Sequence, residues 1–145
     1  MRHVRRERAF ALIGALFAFG ACTTAVADPA FDPVLAGMGA EAFPRYCGSC
    51  HGMRGEGDGP SAEALRTRPA DLTRIAARRG GSFPAGEIAR FIDGRFALAA
   101  HGSREMPVWG ERFGETIPDS GVGEEIARGK IAVLVEYLRS IQRED

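Results

Sequence analysis

The chain has 145 residues, enough for one domain of ordinary size, and it balances 19 basic against 19 acidic side chains. That balance, which turns mildly acidic in the mature chain, argues against a nucleic-acid partner, which would want a clustered basic face, and Lys130 is the only lysine. No internal repeat or low-complexity tract divides it.

A basic stretch with Arg2, Arg5, Arg6 and Arg8 precedes a mostly apolar run from Ala9 to Ala21, and Ala25-Val26-Ala27 supplies the small residues that a signal peptidase reads. Residues 1–27 are therefore expected to be a cleaved signal peptide, leaving a mature domain over residues 28–145. The apolar run is too short to remain as a bilayer-spanning helix. A second reading uses Cys22, because Phe19-Gly20-Ala21-Cys22 resembles a lipoprotein cleavage site with an atypical Phe. Lipidation there is the one route by which the domain would meet a membrane. Loss of residues 1–27 removes four of the 19 basic residues and one of the 19 acidic ones, so the mature balance is 15 against 18. It also removes Cys22, so that Cys47 and Cys50 are the only cysteines left in an oxidising compartment.

Asp32-Pro33 offers an N-cap followed by a proline suited to a first helical turn, which predicts a helix from there towards Cys47. Pro44 removes one helical hydrogen bond and is expected to kink or restart that helix. Met38 falls within it and is expected to pack as core. The stretch GMRGEGDGP at 52–60, with four glycines, reads as an irregular loop that can lie against a flat ligand. A phosphate cradle is the weaker reading of those glycines, since no strand precedes them and no GK[ST] follows.

Ser61–Arg66 is expected to form a short helix, and Asp71 in PADLT is a second candidate N-cap. Residues Ala85–Asp93 then read as a helix, with Ile88, Phe91 and Ile92 on one stripe and Gly94 as its stop. The segment from Arg95 to Ser120 lacks periodicity, contains Pro107 and Pro118, and reads as a long functional loop. The clearest helix starts near Gly123–Glu124 and runs to about Gln142, carrying Ile126, Ile131, Leu134, Val135, Leu138 and Ile141 as an apolar stripe. No alternating strand pattern competes, so the fold class is all-α.

Between the first helix and the glycine loop lies Cys47-Gly48-Ser49-Cys50-His51, a C-x-x-C-H run. Two thiols at this spacing add across the vinyl groups of haem while the adjacent imidazole reaches the iron, so the run predicts one thioether-linked haem c per chain. A redox dithiol would want a βαβ setting, and a zinc half-site would want further ligands at suitable spacing. Neither accompanies it in the sequence.

His51 leaves a sixth iron position, for which the mature chain offers Met38, Met53, His101 and Met106. Met53 is only two residues beyond His51. Met106 stands beside Pro107, which stiffens the backbone, and three residues before Trp109, whose indole can cover a macrocycle and donate its N–H. Met106 is therefore the expected ligand and Trp109 a cofactor contact. His101 is the rival, which would lower the reduction potential. Arg95, Arg104 and Arg112 are candidates for compensating propionate charge.

Taken together, these residues resemble the class I monohaem c-type cytochromes of bacteria over nearly all of the mature chain. Gly39 and Phe43 match that family's helix before the haem motif, and Tyr137 matches the aromatic of its last helix, where the two helices cross. The resemblance implies that a proline carbonyl accepts a hydrogen bond from the axial histidine. Gly59-Pro60 matches that feature, and Pro69 remains an alternative. It further implies a monomeric periplasmic electron carrier with His51 and Met106 as iron ligands. Its redox partners would be a periplasmic dehydrogenase and a terminal oxidase or reductase, not an enzyme's substrate. Sparse lysine departs from the lysine-ringed docking face of mitochondrial relatives. Other readings are a haem subunit of a dehydrogenase or oxidase complex, and a five-coordinate haem enzyme or gas-binding protein.

Overall fold

The computed structural model describes residues 30–95, 105–115 and 121–143, all of them in helices, turns and loops and none in a strand. The expected signal peptide with Cys22, the rival ligand His101, Arg104 and Pro118 lie outside the described residues. The all-α expectation holds among those described.

Helix α1 (Pro33–Tyr46) begins as its sequence dictates. The Asp32 carboxylate accepts from the backbone N–H groups of Val34 and Leu35, at 2.8 and 3.1 Å, and Pro33 occupies the first turn. Pro44 does not break it: the helix continues to Tyr46, and the turn is closed by Cys47 N–H donating to the Phe43 carbonyl at 2.8 Å. The direction changes at Cys47, where φ is −118°, and a single turn, α2 (Gly48–His51), follows. Met38, expected inside, lies on the outer side of α1 and is 55% exposed.

Helix α5 (Gly121–Ser140) turns Gly123, Ala127, Ile131, Leu134, Val135 and Leu138 inward. It crosses α1 at Gly39, where an added Cβ would strike the Val133 carbonyl, so only glycine permits this approach. One helical turn further on, Phe43 and Tyr137 meet with ring centroids 5.0 Å apart. The core beside this crossing gathers Phe43, Ile75, Phe83, Ile88, Ile92, Phe113 and the inner face of α5.

Helix α3 (Ala85–Asp93) has the expected bounds and ends on Gly94 at φ 71°. Its stripe is narrower than expected, with Ile88 and Ile92 buried and Phe91 exposed. The long loop expected over Arg95–Ser120 contains a short helix, α4 (Trp109–Gly114), which buries Gly110 and Phe113. Six residues are too few for an apolar repeat to declare itself.

From Gly52 to Ser82 the chain is irregular, with single 3₁₀ turns at Ala62–Ala64, Leu72–Arg74 and Ala77–Arg79. Only the first of these remains of the short helix expected over Ser61–Arg66. The Asp71 cap is present, its carboxylate accepting from the Thr73 N–H at 2.9 Å and from the Thr73 hydroxyl at 2.6 Å. The tail after α5 fixes this region: Gln142 donates to the Leu72 carbonyl and accepts from Ala76 N–H, both at 2.8 Å. Arg143 N–H donates to the Thr73 carbonyl at 2.9 Å.

Candidate functional site

Helix α2 presents the C-x-x-C-H residues in one turn. Cys47 stands at its N-cap, and Cys50 and His51 occupy its last two positions. Both thiols are free and half-buried, and Cys47 also packs against the core. Burial, reinforced by the nearby Cys50, pushes the Cys47 thiol up to about 12. A thiol held protonated at neutral pH is a poor nucleophile, so Cys47 is ill suited to attack a disulfide.

His51 makes the decisive contact. Its Nδ1 lies 3.0 Å from the carbonyl oxygen of Ala70, and a carbonyl can only accept, so Nδ1 carries the proton. Nε2 is left with its lone pair for another partner. Burial lowers the imidazole pKa, outweighing the opposing effect of the Ala70 bond, and keeps the ring neutral at pH 7. The acceptor corrects both proline expectations. Pro60 is exposed and its carbonyl is not the partner; Pro69 adjoins the residue that supplies it.

Ala70 is itself held in place from several sides. Leu72 N–H donates to the Gly55 carbonyl at 2.7 Å, Asp71 caps the following turn, and Gln142 grips Leu72. Gly57, at φ 77°, abuts the Pro69 carbonyl so closely that a Cβ there would collide with it. The glycine loop is thus a wall folded against the histidine's support, not a phosphate cradle. Between Gly48 and Leu72 every buried residue is a glycine: Gly48, Gly52, Gly55, Gly57 and Gly59. This stretch brings no buried apolar side chain of its own to a core.

Met106 is 40% exposed and sits in a strap that three contacts fasten. Glu105 accepts from the backbone N–H groups of Arg66 and Thr67 at 2.8 and 3.1 Å. Trp109 meets Tyr46, the neighbour of Cys47, edge-on at 5.5 Å and stacks on Phe113 at 5.2 Å. Gly110 fits tightly over the Asp93 and Arg95 side chains. The strap therefore touches the loop leading to Ala70 at one end and the residue before Cys47 at the other.

Of the arginines expected to compensate propionate charge, the two that are described have protein partners. Arg95 is forked between Asp93 at 2.7 Å and Glu124 at 2.5 Å. Arg112 lies over the Trp109 ring at 5.7 Å.

Sequence reasoning missed Ala70, Glu105, Tyr46 and Gln142. Ala70 acts through its backbone, which any residue supplies, and its only signal was the adjacent Pro69. An acidic residue directly before Met106 was a signal for Glu105 that went unused.

The donor set has the chemistry a covalently held haem requires: two thiols one turn apart, and a neutral imidazole whose tautomer leaves Nε2 free. Among the described residues no group of three or more His, Cys, Asp or Glu side chains converges as a metal site. Nor is any helix there long and apolar enough to cross a membrane. No protein-family model, curated protein or solved structure matches the chain.

Proposed function

We propose that this chain is a periplasmic one-electron carrier of the class I cytochrome c type. In this reading one haem c is joined by thioethers to Cys47 and Cys50, with His51 and Met106 as axial ligands. The observation that carries the proposal is the hydrogen bond from His51 Nδ1 to the Ala70 carbonyl. It selects the tautomer and fixes the ring plane of a ligand whose other nitrogen must face iron. The suppressed Cys47 thiol supports it too, since a dithiol oxidoreductase needs the opposite shift. So does the crossing of α1 and α5 at Gly39 and Phe43–Tyr137, where the resemblance expects the helix pair beside the cofactor.

When bound, the group supplies an iron that alternates between two oxidation states. The chain's part is to hold both ligands still, so that little rearranges on transfer. His51 is fixed through Ala70, which Asp71, Gly55 and Gln142 brace. Met106 is fixed through its strap. Trp109 and Tyr46 form an edge-to-face aromatic pair next to the first thiol. Partners are redox proteins that dock briefly on a small surface.

The test is export of the chain in cells that mature c-type cytochromes. The product should stain for haem after denaturation, and its ferric form should be low-spin with the far-red methionine–iron charge-transfer band. His51→Ala should abolish the stable haem product, and Met106→Ala should turn the spectrum high-spin. Absence of covalent haem from the wild type overturns the reading. Haem without the methionine band moves it to the open-site alternative, and co-elution of all the haem with a large native complex moves it to the subunit alternative.

A further inference from the structure

We infer that Glu105 is a positioning residue that couples the two ligand-bearing segments, fastening the backbone next to Met106 to the loop that orients His51. The inference rests on the haem reading above and extends it to a residue that is neither a proposed ligand nor part of the C-x-x-C-H motif. Both carboxylate oxygens of Glu105 are used, Oε1 by the Arg66 N–H at 2.8 Å and Oε2 by the Thr67 N–H at 3.1 Å. Two N–H donors on consecutive residues make a fork for one carboxylate, and hydrogen bonds to a charged acceptor are about twice as strong as neutral ones. The Arg66 guanidinium adds only a looser contact at 3.5 Å, and its side chain is largely exposed. The backbone donors therefore carry the attachment.

The location of this attachment gives it its role. Arg66 and Thr67 lie four and three residues before Ala70, whose carbonyl holds His51. Glu105 directly precedes Met106. One carboxylate thus bridges a separation of 38 and 39 residues in sequence, and it joins the support of one proposed ligand to the carrier of the other. Without it, the strap would keep its Trp109 and Gly110 contacts, but the end carrying Met106 would be released. Methionine would then leave iron more readily, while haem attachment and the helical core would stay.

The experiment measures displacement of the sixth ligand by added imidazole in ferric holoprotein. Glu105→Ala removes both hydrogen bonds and should raise the apparent imidazole affinity by about tenfold or more. Glu105→Gln, which keeps one acceptor oxygen, should fall between that variant and the wild type. Arg66→Ala keeps both N–H donors and should bind imidazole like the wild type, as should Arg79→Ala, which cuts the Arg79–Glu87 ion pair elsewhere. Haem yield and far-ultraviolet circular dichroism should be unchanged in all four. Wild-type imidazole affinity in Glu105→Ala overturns the inference while leaving the haem reading intact, and so does an equal rise in Arg66→Ala. A wild type with haem but no methionine band overturns Met106 ligation and this inference together. A wild type with no haem overturns the function itself.

Discussion

At Gly39 two helices meet with no room for a methyl group. A Cβ there would collide with the Val133 carbonyl and the Tyr137 Cβ, and neither is free to yield, since one is helix backbone and the other belongs to a side chain packed against the Phe43 ring. Gly39→Ala should therefore force α1 and α5 apart and cost about 1–3 kcal/mol, the usual range for overpacking a tight contact. Chemical denaturation should show a lower midpoint at an unchanged slope. A midpoint equal to the wild type would mean that the helices do not cross at this residue. Gly39 was legible only through the resemblance to class I c-type cytochromes, whereas His51 and the cysteines were legible from their own spacing, because their chemistry is local. Ala70 was not, because what it offers His51 is a carbonyl that every residue carries. Side-chain identity points to ligands; it does not point to the backbone that orients them.

Helix α4 and its seat are the part of the molecule least visible in the sequence at the scale of elements. Helices α1, α3 and α5 carry caps and apolar stripes, whereas α4 is six residues hidden between Pro107 and an irregular stretch. Phe113 anchors it in the core, and Gly110 seats it on an ion cluster of Asp93 at the end of α3, Arg95 just after it, and Glu124 in the first turn of α5. Asp93 is only 8% exposed, so Arg95 is the partner that makes its burial tolerable. The Arg95 hydrogen bonds hold the Asp93 carboxyl below the ordinary carboxylate value, against the upward pull of burial. A carboxylate whose folded pKa is depressed stabilises the fold above its unfolded pKa and loses that contribution as pH falls through the folded value. Arg95→Ala should cost about 1–3 kcal/mol at pH 7, the range for stranding a buried acceptor. The gap in melting temperature between variant and wild type should narrow as pH drops below the ordinary value of 3.8 and Asp93 becomes neutral. A gap independent of pH down to that range would show that Arg95 acts through packing alone.

Across the whole molecule, apolar burial is divided unevenly. The core cluster draws on α1, α3, α4, α5 and the segment from Ile75 to Phe83, and it takes no fully buried member from residues 48–71. In that stretch the buried positions are glycines, and the ties are backbone hydrogen bonds such as Gly57 N–H to the His51 carbonyl at 2.8 Å and Gly59 N–H to the Cys50 carbonyl at 3.2 Å. Hydrogen bonds of this kind contribute only about 1 kcal/mol each in net terms, so they do not hold 24 residues in order without an apolar body to pack on. On the proposed function that body is the haem, and the helical frame should not depend on it. The Cys47→Ala/Cys50→Ala protein, made without haem, should therefore keep slow amide hydrogen exchange in α1 and α5 around Gly39, Phe43 and Leu134. Residues 48–71 should exchange in that variant at rates close to those of an unfolded chain, and should be protected in the haem-loaded wild type. Equal protection of residues 48–71 in the two proteins would mean that the glycine-lined loop is self-supporting and has no need of a cofactor. Collapse of protection in α1 and α5 as well would mean that the haem nucleates the entire fold, with the α1–α5 crossing a consequence of binding and not its prebuilt frame.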